Sequence, residues 1–174
     1  MHDLWLLKLE SPVGGSVQSM QGWPPVTQAW QAMDAPLTYL YRRGESRLAN
    51  ALAGVESRWH RLACVQQIEG AAFGDAPSHH YVVETDVIEA HEKDFNAWYE
   101  QEHLPGLAAV PGVVRAARYV DAAGSPRYYA CYDLADLSAF GSPPWLAVRA
   151  TPWSSRVRPS FRNTRRTMFA ALDR

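Results

Sequence analysis

A chain of 174 residues that is 47% hydrophobic has the size and apolar content of one ordinary domain, or of two small halves packed together. Its formal net charge of −1 offers no overall attraction to nucleic acid or to an anionic membrane, and no apolar run approaches the roughly 18 residues that span a bilayer. The opening MHDLWLLKLE lacks a signal-peptide pattern, and Cys64 and Cys131 stand alone in strand-like runs as buried free thiols, so the expected compartment is the cytoplasm.

Leu4 to Glu10 sets Trp5, Leu7 and Leu9 against Leu6 and Lys8 and reads as a strand. Ser11 to Pro25, rich in Gly, Pro and Ser, reads as a loop, and Val26 to Met33 as a short helix. Leu37 to Tyr41 has strand composition. Ser46 to Trp59 puts Leu48, Leu52 and Val55 on one side of a helix, and His60 to Ile68 is again a strand. Gly70 to Ser78 separates two halves, 1–77 and 78–174.

The second half is clearer. His80 to Ile88 alternates, Val113 to Val120 is a strand, and Gly124-Ser125-Pro126 turns into a partner strand from Arg127 to Leu134. Asp136 or Ser138 can cap a helix that Gly141, Pro143 and Pro144 keep short, and Asn163 to Leu172 is a last strand. The order β-α-β-β-α-β is the ferredoxin-like plan, which makes the fold class α+β. The first half gives β-α-β-α-β, one strand short, and reads as a degenerate copy.

Between the first two strands of the second half lies DFNAWYEQEHLPGLAAVPG, from Asp94 to Gly112. On an α-helical wheel Phe95, Trp98, Tyr99, Gly106 and Ala109 share one face, with Glu102 at its middle and His103 at its edge. A carboxylate among aromatics must find donors or shift its pKa upward. Pro105 removes an amide and clashes with the carbonyl of Gln101, so the helix is expected to kink or stop beside Glu102 and His103, leaving a free acceptor.

Charge divides the chain. Glu84, Asp86 and the acids around them make the middle acidic, while Arg149, Arg156, Arg158, Arg162, Arg165 and Arg166 make the end basic. In the ferredoxin-like plan the first and last strands are neighbours, so Glu84 and Asp86 are expected near Arg162, Arg165 or Arg166, at a gain of about 1 kcal/mol or less per pair. Cross-strand pairing then suffices for most of these arginines, and nucleic-acid binding is not expected.

The run Phe95-x-x-Trp98-Tyr99-x-x-Glu102-His103-Leu104-Pro105, with Val110-Pro111-Gly112 and the strand holding Arg115 and Tyr119, resembles the dimeric α+β barrel superfamily, most of all EthD-like and related small bacterial proteins. The match covers about residues 79–172. The resemblance implies two ferredoxin-like units packed face to face into a barrel, in a superfamily of cofactor-free monooxygenases, lactone isomerases and haem enzymes. The first half has no W-Y-x-x-E-H equivalent, which leaves at most one such site per chain.

Two readings follow. In the first, a pocket between sheet and helix binds a small apolar or aromatic molecule; His103 is general acid/base, Glu102 orients it or holds a proton itself, and Phe95, Trp98, Tyr99 and Tyr119 line the pocket, as in a cofactor-independent oxygenase or isomerase. In the second the chain is a non-catalytic binding or assembly module, the aromatics are core and His103 caps the freed carbonyl. Tyr128, Ala130 and Tyr132 on one face and Tyr129 and Cys131 on the other need cover on both sides, from a homodimer partner or from the other half of the chain. The histidines show no ligand spacing, so no metal and no cofactor are expected, although His103 could in principle serve as an axial ligand to haem.

Overall fold

A computed structural model describes residues 3–10, 28–43 and 59–172. Eight strands form a closed barrel: β1 (Leu4–Leu9), β2 (Gln28–Ala32), β3 (Thr38–Arg43), β4 (Trp59–Glu69), β5 (His79–Val87), β6 (Val113–Val120), β7 (Tyr128–Leu134) and β8 (Phe161–Ala171). Around the barrel they run β1-β3-β2-β8-β5-β7-β6-β4. The second half contributes β8-β5-β7-β6 and the first β4-β1-β3-β2, so both share the fourth-first-third-second order of a ferredoxin-like sheet. All neighbouring pairs are antiparallel.

The first half is therefore not one strand short. Its second strand is β2, within the segment expected to be helical. Gln28 to Ala32 is rich in helix formers, but both its edges are taken: Gln28–Gln31 pair with β3, and Trp30–Ala32 with Phe169–Ala171 of β8. Tertiary pairing overrides a weak local preference. The helix expected from Ser46 and the loop from Ser11 lie outside the described residues, apart from Trp59, which begins β4.

Two seams close the barrel within one chain: the short β2–β8 contact, and Ala63–Glu69 of β4 against Arg115–Val120 of β6. Cover for both faces of β7 is thus supplied by the chain itself. Tyr129 and Cys131 enter a barrel interior shared with Leu6, Tyr39, Tyr41, Val82, Tyr119 and Phe169. Tyr128, Ala130, Tyr132 and Leu134 face outward under the helices.

The interior is also polar. Glu84, 1% exposed, accepts from Lys8 Nζ at 2.5 Å and from the Tyr39 hydroxyl. His80 is held by Asp133 Oδ1 at 2.6 Å and Tyr41 Oη at 3.1 Å and stacks on Trp30. Burial would raise the Asp133 carboxyl, but His80 and the Arg115 guanidinium at 2.7 Å hold it below its ordinary value. The register sets Glu84 opposite Arg165 and Asp86 opposite Arg162, as the plan requires, yet no ion pair forms between them. Glu84 points inward to Lys8; Asp86 takes the Ser125 hydroxyl, the Arg127 amide and the Asn163 side chain.

Candidate functional site

Glu92–Trp98 (α1) and Leu104–Ala108 (α2) are joined by a π-helical turn, Tyr99–His103. The helix neither stops nor loses helical backbone at Pro105: Leu104 keeps φ −67° and ψ −47°, and its N–H bonds the carbonyl of Tyr99, five residues back. One residue on, that register would aim the Glu100 carbonyl at Pro105, which has no N–H. The Gln66 side-chain amide on β4 takes this acceptor at 3.1 Å. The widened turn also relieves the clash that a proline ring meets in an α-helix.

The extra residue re-indexes everything downstream. The wheel buries Glu102, Gly106 and Ala109; the structure buries His103, Leu107 and Val110, each one position later, and leaves Ala109 exposed. His103, 6% exposed, occupies the place the wheel gave to Glu102. Its ring stacks on Trp98 at 4.1 Å and 20° and meets Tyr99 edge-on at 5.3 Å. Trp98 is fixed in turn: Nε1 donates to Ser154 Oγ at 3.2 Å. Trp98 and Phe95 are fully buried, worth roughly 1.5–3 kcal/mol apiece by transfer.

Glu102 does not orient His103. It accepts from the Thr151 hydroxyl at 2.6 Å, and Thr151 caps the helix Pro152–Val157, labelled α4, by accepting from the Ser154 amide at 3.0 Å. Glu102 thus ties the π turn to the element that carries Ser154 and secures Trp98.

His103 opens onto a hollow between the outer face of the second sheet and the helices, lined by Trp98, Tyr99 and Leu107 of the helical run, Tyr81 and Val83 of β5, Tyr132 of β7, Trp145 and Arg149 of the helix Pro143–Arg149 (α3), Arg158, and Phe161 and Arg166 of β8. The hollow encloses about 340 Å³ and opens to solvent. Three polar atoms of the lining residues are buried with no hydrogen-bond partner among the described residues: His103 Nδ1, Tyr132 Oη and Trp145 Nε1. Burial first, then the charges of Arg158 and Arg149, push the His103 pKa down to about 3, so the imidazole is neutral at physiological pH.

Of the residues singled out from sequence, Trp98, Tyr99 and His103 meet at this hollow. Phe95 lies behind Tyr99 and packs on Tyr128 and Phe161. Tyr119 faces the barrel interior, across the sheet from the helix. Tyr132, Trp145 and the three arginines were not among the expected lining residues; they come from four elements, and the arginines were assigned to cross-strand pairing. A further unexpected group is Arg118, 2% exposed, with its guanidinium over Phe95, Tyr99 and Tyr128 at 4.5–5.0 Å and donating to Asn96 Oδ1 at 2.5 Å. Among the described residues no three His, Cys, Asp or Glu side chains gather as a metal site, and no helix is long and apolar enough to cross a membrane.

No family model and no curated protein matches the chain. Solved structures do. A candidate monooxygenase from Fusobacterium nucleatum aligns over 99% of this chain and 93% of its own, with TM-score 0.66 and 12% identity. A ferredoxin-fold protein related to antibiotic biosynthesis monooxygenases, from Listeria monocytogenes, aligns over 100% and 97%, with TM-score 0.61 and 12% identity. A heme-degrading enzyme, also from Listeria monocytogenes, aligns over 97% and 98%, with TM-score 0.61 and 9% identity. At these identities the likeness establishes the fold, the ferredoxin-like dimeric α+β barrel, here formed by one chain. His103 is the one histidine among the residues lining the hollow, and its ring lies flat on Trp98.

Proposed function

We propose that the chain binds a small aromatic or apolar molecule in the hollow beside His103 and exchanges a proton with it through the imidazole. The observation that carries this reading is that three residues lining one aromatic-walled space each hold a buried polar atom without a partner among the described residues: His103 Nδ1, Tyr132 Oη and Trp145 Nε1. Buried polar groups are nearly always satisfied, and each that is not costs about 1–3 kcal/mol. A ligand offering oxygen or nitrogen atoms removes that cost. The capping role for His103 loses its basis, because Gln66 takes the freed carbonyl.

A neutral imidazole is a hydrogen-bond partner and a base, not an acid. Taking a proton from an activated C–H or O–H of the ligand leaves a resonance-stabilised anion. Returning that proton to another atom completes an isomerisation; reaction of the anion with molecular oxygen is the oxygenase course, the direction in which the names of the structural neighbours lean. The narrower EthD-like kinship rests on the W-Y-x-x-E-H-x-P run alone. We read 1–77 and 78–174 as two fused units, only the second of which carries a site.

His103→Phe is the informative variant. It keeps the stack on Trp98 and deletes the nitrogens, whereas His103→Ala would also open a cavity. The thermal midpoint of His103→Phe is expected to hold or rise while binding of phenol, followed by ligand-observed NMR, is lost. A stable variant that binds phenol like the parent would leave only the fold.

A further inference from the structure

Several arginines elsewhere among the described residues pair with acids. Arg115 bonds Asp133, Arg127 reaches Glu92, and Arg156 forks onto Asp94. Arg149, Arg158 and Arg166 do not: they line the hollow from three elements, and no carboxylate lies within ion-pair distance of any of them among the described residues. Burial and the charges of Arg149 and Arg166 lower the pKa of Arg158, the mark of like charges held together. The charges of Arg158 and Arg149 add to burial in keeping His103 neutral. Holding three guanidiniums around one mouth is unfavourable unless something negative completes the set.

From this convergence of three unpaired arginines on a hollow floored by unpartnered His103, Tyr132 and Trp145, we infer that the ligand is an aromatic carboxylate, its carboxylate among Arg149, Arg158 and Arg166 and its ring against Trp98 and Tyr99. The inference rests on the binding role proposed above and names its substrate class. It also explains how so weak a base could work. A bound anion offsets the arginine charges beside His103, so the ligand raises the basicity of the imidazole that acts on it.

The test uses benzoate, its neutral isostere benzamide and inorganic phosphate on the full chain, with affinities from NMR titration. Benzoate is expected to bind about tenfold or more tighter than benzamide, the range for a hydrogen bond to a charged group. That advantage should vanish in Arg158→Gln and in Arg166→Gln, the latter an exposed position whose replacement leaves the core intact. Benzoate should also move the His103 titration upward. Equal binding of benzoate and benzamide, or an advantage that survives both substitutions, overturns the carboxylate assignment and leaves aromatic binding standing. Phosphate binding as well as benzoate overturns it in favour of an inorganic-anion site. Failure of both aromatic probes overturns this inference and the binding role together.

Discussion

Trp98 and His103 stack face to face at 4.1 Å although five positions separate them. On an α-helix residues five apart point about 140° away from each other; the π turn brings them to one side. Deleting the exposed Gln101 removes the extra residue, which keeps Leu104, Leu107 and Ala108 in phase with Trp98 but sets Pro105 in an α register against the Glu100 carbonyl. We expect a loss of about 3 kcal/mol, the cost of a proline inside an α-helix, read as a fall in the urea midpoint. A deletion variant as stable as the parent would show that the π turn is not what accommodates Pro105.

Arg118 is a buried cation held by three ring faces and one amide oxygen, with its Nε left without a partner among the described residues. Asn96→Ala removes its acceptor and should cost about 2–4 kcal/mol, whereas Arg118→Met should cost less, because it removes the charge together with its need for a partner. In a double-mutant cycle the pair should be no worse than Arg118→Met alone. Additive losses would contradict the linkage.

Within the barrel, Lys8→Met leaves Glu84 facing only the Tyr39 hydroxyl. Breaking a buried pair this way costs roughly 3–5 kcal/mol. Glu84→Gln should cost less, since Lys8, 19% exposed at its side chain, can turn toward water. Denaturant titrations of the two variants check the order.

Both barrel seams lie within one chain, so folding stability should not depend on a second copy. The thermal midpoint should stay constant over a hundredfold dilution. A midpoint that rises with concentration would show that association contributes.

Stability should fall on acidification through a window set by His103. The unfolded chain takes up a proton near pH 6.5, the folded chain only near pH 3, so between these values the unfolded state holds one more proton. Each pH unit lowered there removes about 1.4 kcal/mol through this group. Above pH 6.5 it contributes nothing, because both states are neutral. In His103→Phe this part of the slope should vanish, as measured by urea titrations from pH 4 to 7.

Strands β5, β6 and β7 were legible because their alternation is strong and their turns carry Gly or Pro, and the resemblance supplied the barrel. β2 was not: five residues of Gln, Ala and Trp carry no period-two signal, and only pairing on both edges makes them a strand. The π turn was half legible. Pro105 announced that a carbonyl must find another partner, but a wheel of fixed pitch cannot insert a residue, so the buried position fell on Glu102 instead of His103. The arginines around the hollow were invisible as a group, since three elements separated in sequence bring them together. The ferredoxin-like plan placed Glu84 and Asp86 near Arg162, Arg165 or Arg166 correctly, but did not show that Lys8 would reach Glu84 across the barrel.

The most direct measurement is the titration of His103 itself, by NMR of the labelled imidazole in the ligand-free protein. A ring sealed against Trp98 and flanked by Arg149 and Arg158 should remain neutral until about pH 3, and the signal should start to move at higher pH once benzoate is added. A midpoint near 6.5, unchanged by benzoate, would place the imidazole in water and contradict the account.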